Sequence, residues 1–117
     1  GKKTIILLKG QLGSGKTTFV RELLSYKYKF NDVNSPTFGI INTYNIKEHL
    51  IFHYDLYRIN KVSELDEIGF YDNLETEAVH FIEWPEIIPL KLINANFIIS
   101  FEIYDQYRLI SIDDTDA

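Results

Sequence analysis

Eight consecutive residues carry the most specific chemistry in this sequence. Gly10-Gln-Leu-Gly-Ser-Gly-Lys16-Thr17 fits G-x-x-x-x-G-K-[ST] at every fixed position. Glycines at 10, 13 and 15 let the backbone curl so that successive N–H groups face inward, towards phosphate oxygens. The helix that follows the loop adds its unpaired N-terminal N–H groups and the positive end of its dipole. Lys16 is placed for the β- and γ-phosphates, and the Thr17 hydroxyl for Mg²⁺. Gly10, Gly13, Ser14, Gly15, Lys16, Thr17 and Thr18 are therefore candidate nucleotide contacts. The competing reading is a glycine-rich turn that merely caps a helix.

Such a loop works with acids at the ends of neighbouring strands, which hold the cation or its waters. Asp55 ends the run Leu50-Ile-Phe-His-Tyr54, and Glu83 ends Ala78-Val-His-Phe-Ile82. Both sit at carboxyl ends, where ligands gather in an α/β sheet, provided these strands run parallel to the first. Asp55 has a second reading as a helix N-cap for Leu56-Tyr-Arg58, and Glu83 as a solvated acid. Lys16, Asp55 and Glu83 are the candidate catalytic groups; Thr17, Thr37, Asp55 and Glu83 are the candidate metal ligands. Thr37 lies where nucleotide switches place a threonine on the metal, and an ordinary turn threonine reads equally well there. His49, His53 and His80 lack metal-ligand spacing, and packed or hydrogen-bond-satisfied histidines are expected.

The elements that must hold these groups follow from pattern. Thr4-Ile-Ile-Leu-Leu-Lys9 is a short, branched apolar run suited to a buried strand. Beyond the loop, Phe19, Val20, Leu23 and Leu24 share one face at helical spacing, which gives a helix to about Tyr28. Asn34-Ser-Pro-Thr37 is a break, since Pro36 forces the preceding residue towards extended backbone. Phe38 to Tyr44 and Leu50 to Tyr54 read as strands around a polar turn at Asn45 to His49. Ser63 begins a short helix, with Asp66 placed to close a capping box. Phe97 to Tyr104 and Tyr107 to Ile112 form a hairpin around Asp105-Gln106. The fold class expected is α/β and P-loop NTPase-like: a mostly parallel central sheet with antiparallel additions and flanking helices.

The 117 residues fit one nucleotide-binding domain. A hydrophobic share of 45% and a charged share of 25% are those of an ordinary globular chain. The formal charge of −5 argues against holding nucleic acid unaided. No run of about 18 apolar residues exists to span a membrane. With no cysteine and no secretory signal, the expected location is the cytoplasm.

Read in order, these pieces resemble the bacterial P-loop ATPase family of tRNA threonylcarbamoyladenosine biosynthesis, TsaE or YjeE. The likeness rests on Gly10 to Arg21, Ser35-Pro-Thr-Phe38, His53-Tyr-Asp-Leu-Tyr-Arg58, Glu64-Leu65 with Glu67 and Gly69, and Ile82-Glu-Trp-Pro-Glu86. The resemblance implies that Thr37 belongs to a first switch, that Glu83 serves the metal or the attacking water, and that Trp84 lies beside the nucleotide. It carries Arg108 over as a further nucleotide contact. It implies ATP and Mg²⁺ as cofactors, and a role as accessory ATPase to the two synthase subunits that modify adenosine 37 of tRNA. The tRNA itself is then met only indirectly. Gln11 and Ser14 depart from the family's usual Asp and Ala, at variable loop positions. An N-terminal helix and strand usual in the family are expected to be missing. Two other functions fit the loop: a small-molecule or nucleoside kinase, and a non-hydrolysing nucleotide switch. No Asn-Lys-x-Asp run is present to read guanine.

Overall fold

A computed structural model describes residues 2–34 and 40–115. One six-stranded sheet organises them. Strands β1 (Thr4–Lys9), β2 (Ile41–Ile46), β3 (His49–Asp55), β4 (Val79–Glu83), β5 (Phe97–Ile103) and β6 (Arg108–Asp114) lie in the order β2-β3-β4-β1-β5-β6. The inner four, β3-β4-β1-β5, are mutually parallel, and β2 and β6 add antiparallel edges. The mostly parallel sheet with antiparallel additions expected from sequence is therefore present.

Period-two alternation sorts the strand residues between two cores. Ile6, Leu8, Ile51 and Phe81 face helix α1 (Lys16–Tyr28) and pack with its Val20 and Leu24. Ile5, Leu7, Phe52, Tyr54 and Ile82 face the other way, towards Leu65 of α2 (Ser63–Glu67) and Phe70 and Leu74 of α3 (Phe70–Leu74). A strand buried on both faces has no polar alternation, which is why β1 and β4 read as continuous apolar runs.

Several local expectations change. The β2–β3 turn is only Lys47-Glu48, both at positive φ (50° and 70°), the two-residue hairpin geometry that matches strand twist. Strand β2 starts at Ile41 among the described residues, while Phe38 and Gly39 lie outside them. No capping box joins Ser63 and Asp66; instead Glu64 Oε1 accepts the Lys61 N–H at 3.1 Å. Residues 56–58 form a turn closed by Ile59 N–H to the Leu56 carbonyl, so Asp55 caps no helix there. Its side chain accepts the Tyr57 N–H at 3.1 Å, a short Asx-type turn.

Candidate nucleotide site

Because β1, β3 and β4 run parallel, their carboxyl ends meet at one edge, and the loop after β1 opens onto the same edge. Gly13 (φ 76°) and Gly15 (φ 105°) take left-handed conformations that admit glycine readily. Gly10 is constrained differently: a β-carbon there would stand 2.6 Å from Ser14 Oγ and 3.0 Å from Phe101 Cβ. Helix α1 begins directly after Gly15 with no side-chain cap and no acid in its first turn. Its N-terminal N–H groups are thus left to a ligand or water.

A cavity of about 280 Å³ lies over that helix end, lined by Leu12 to Thr18 with Asp55, Glu83 and Trp84. Asp55 and Glu83 are register partners across β3 and β4, which sets the two acids side by side. Glu83 is buried, and its Oε2 accepts the Thr17 hydroxyl at 2.7 Å. Lys16 Nζ donates to the Gly10 carbonyl and sits 3.5 Å from the centre of the Trp84 ring. A cation over an indole face contributes about 0.5–2 kcal/mol. Trp84 itself adopts a left-handed backbone (φ 58°) just before Pro85 opens a 3₁₀ turn, which swings its ring over the loop. Tyr57 packs on the other side chain of this corner, 4.9 Å from the Trp84 ring.

The electrostatics fit an anion-and-cation site. Burial pushes the Lys16 ammonium below its ordinary value, opposed by Glu83, Asp55 and Glu86. Burial also raises Asp55, helped by Glu83 and opposed by the Tyr57 N–H, His53 and Lys16. Two crowded carboxylates beside a hydroxyl form a set of hard oxygen donors, which suits Mg²⁺. Among the described residues no group of three or more His, Cys, Asp or Glu could hold a metal unaided. A Mg²⁺ here would complete its shell from phosphate and water, its usual habit.

The sequence-derived candidates divide as follows. Gly13, Ser14, Gly15, Lys16, Thr17, Thr18, Asp55, Glu83 and Trp84 line one cavity. Gly10 does not line it and acts through its carbonyl on Lys16. Arg108, at the start of β6, does not line the cavity but reaches the loop, where its Nη2 donates to the Gly13 carbonyl at 3.2 Å. Thr37 lies outside the described residues. Sequence reasoning missed Leu12 and Tyr57, and it read His53 as a packed or satisfied histidine without its tie to Glu83. His53 Nε2 is 2.5 Å from Glu83 Oε2. Spacing showed only that His53 and Asp55, two apart in one strand, share the α1 face of the sheet; the contact with Glu83 depends on the register of β3 against β4. His80 is a satisfied core histidine, bonded to the Tyr54 hydroxyl and the Thr76 carbonyl.

A glycine-rich loop between a buried parallel strand and a helix, opposed by acids on adjacent strand ends, defines a P-loop NTPase fold. The solved structure of YdiB from Bacillus subtilis superposes with a TM-score of 0.65 at 27% identity, covering 93% of this chain and 66% of that one. The family model described as "Threonylcarbamoyl adenosine biosynthesis protein TsaE" matches residues 1–112. The chain is similar to the tRNA threonylcarbamoyladenosine biosynthesis protein TsaE of Haemophilus influenzae, 35% identical over 95% of this chain and 70% of that protein. It is likewise similar to the protein of that name from Rickettsia felis, 40% identical over 89% of this chain and 61% of that one. The chain belongs to the TsaE family. It spans between about half and four-fifths of the length of the curated relatives it matches.

Proposed function

We propose that this chain is one nucleotide-binding domain that binds and hydrolyses Mg·ATP as an accessory subunit of the tRNA threonylcarbamoyladenosine machinery. The observation that carries the reading is the convergence of Lys16, Thr17, Asp55 and Glu83 on one cavity at the bare N-terminus of α1. In this reading the loop N–H groups receive the phosphate chain, and Lys16 exchanges the Gly10 carbonyl for β- and γ-phosphate oxygens. Thr17, Asp55 and Glu83 would hold Mg²⁺, which would supply positive charge to offset that of the phosphates. Glu83 orients the attacking water, and Trp84 shields Lys16 from solvent. Thr37 and Arg108 complete the nucleotide contacts.

The partners in this reading are the two subunits of the threonylcarbamoyl-transfer synthase, with tRNA met only through them. Among the described residues, no arginine lines the cavity, so turnover by the chain alone is expected to be slow, with partners supplying the missing charge. The test is phosphate release from ATP by the purified chain, with and without the cognate synthase subunits, beside Lys16→Ala. Release that rises with the partners and disappears in Lys16→Ala supports the reading. Release indifferent to the partners removes the accessory role, and turnover near ten per second by the chain alone, a typical enzyme rate, removes the dependence on them.

A further inference from the structure

Glu83 is held by two donors on one oxygen. The Thr17 hydroxyl and His53 Nε2 lie 2.7 Å and 2.5 Å from the same Oε2, which leaves Oε1 for a ligand. His53 is fully buried, and its Nδ1 has no hydrogen-bond partner among the described residues. For the neutral ring, that asymmetry sets the tautomer. A proton on Nδ1 would be a buried donor without an acceptor, whereas a proton on Nε2 is used by Glu83.

We propose that His53 is a positioning residue for the hydrolysis proposed above: its Nε2–H clamps Oε2 of Glu83 so that Oε1 addresses the cavity. His53 does not line that cavity, so it acts only through Glu83. Its reach follows from strand register. His53 pairs with Phe81 and Asp55 with Glu83, and alternation puts all four side chains on the α1 face. The imidazole therefore approaches Glu83 diagonally, from one pleat below. A glutamate on three side-chain torsions loses rotamer freedom when it is fixed. A second donor keeps it seated when Thr17 turns its oxygen lone pairs to a cation. Partners of this kind typically change metal affinity or activity by about 10–100-fold when removed.

This inference rests on the ATPase reading, so its test carries a separate control. His53→Phe keeps a ring and removes the donor; His53→Gln returns an N–H near the Nε2 position. We expect His53→Phe, assayed with the synthase subunits, to lower kcat about 10–100-fold with little change in KM for ATP. The Mg²⁺ concentration for half-maximal rate should rise, while nucleotide affinity in EDTA stays as in the parent. His53→Gln should recover most of the rate. A full rate in His53→Phe, with Lys16→Ala inactive, overturns the clamp. So does a parallel loss of EDTA affinity in both His53 variants, which marks a structural role only. If Lys16→Ala also keeps its rate, the hydrolysis reading fails instead, and ring ¹⁵N spectra decide the clamp. A protonated Nε2 whose exchange is slow in the parent and fast in Glu83→Ala supports it. A proton on Nδ1 with none on Nε2 overturns it, and the same spectra decide if His53→Phe does not fold.

Discussion

Two glycines of the same loop illustrate how one residue type answers different constraints. At Gly10 the conformation is ordinary and the space is missing, because an added methyl meets Ser14 Oγ and the Phe101 backbone oxygen at 3.0 Å or less. Gly10→Ala is expected to lower stability by about 1–3 kcal/mol through overpacking, read by urea unfolding. At Gly15 the space is open and the φ of 105° is the obstacle. Gly15→Ala is expected to cost about 1–2 kcal/mol of backbone strain and to weaken nucleotide binding beyond what stability explains, as calorimetric titration would measure. His80 makes a third case. Burial holds it below its ordinary value, with the Thr76 carbonyl opposing and Lys3 adding slightly. The unfolded chain then binds the His80 proton more readily than the folded one. Stability from this group is complete above about 6.5 and is lost as pH falls below it. His80→Leu should be less stable at pH 7.5 and should show a flatter stability curve between pH 7 and 5. The difference in slope should be at most about 1.4 kcal/mol per pH unit, measured by urea unfolding at each pH. Equal slopes would remove His80 as the source.

At the scale of elements, β1 was legible to the residue and the course of α1 to about Tyr28, because their patterns are unmixed: one continuous apolar run and one stripe at helical spacing. The acids at the ends of β3 and β4 were legible because each closes such a run. Where legibility failed, the cause was a partner distant in sequence. Nothing local says that Lys47 and Glu48 will take positive φ without glycine; the register of β2 against β3 demands it. Nor does a local pattern say that the histidine two before Asp55 touches Glu83, since that contact spans 30 residues. The capping reading of Asp55 failed because a turn, not a helix, follows it. Helix α1 yields its own prediction. Its first turn holds no acid and its N-cap no side-chain acceptor, so ligand phosphates should supply what the sequence omits. Saturation with Mg·ADP at about a hundred times its dissociation constant should stabilise the fold by about 2.7 kcal/mol. Amide hydrogen exchange should slow across residues 13 to 18 more than elsewhere; uniform slowing would indicate that the phosphates do not sit on the helix end.

Across the whole molecule, protection is uneven. The inner strands are covered on both faces, whereas every residue of β6 is exposed. Ile110 (47% exposed) and Ile112 (64%) lie beside Phe101 and Ile99 on the α1 side of the sheet, at an edge whose outer backbone groups meet no further strand among the described residues. Such an edge is a template for pairing with another chain, restrained here by Asp113 and Asp114 near its end. Ile110→Lys with Ile112→Lys is expected to reduce concentration-dependent association of the isolated chain. The change in unfolding free energy should stay within about 1 kcal/mol for the pair, since exposed sites usually contribute about 0.5 kcal/mol or less each. Sedimentation velocity across a concentration series checks the first expectation, and urea unfolding the second. No helix among the described residues is long and apolar enough to cross a membrane.

The stacking of Lys16 on Trp84 has an optical consequence. The chain has one tryptophan, so its fluorescence comes from a single place, and in this structure that place is the loop lysine's resting position. A nucleotide that draws Lys16 onto its phosphates leaves the indole in a different field. The emission should change in step with occupancy, so the protein carries its own label for binding, and Lys16→Ala should start with the altered spectrum before any ligand is added.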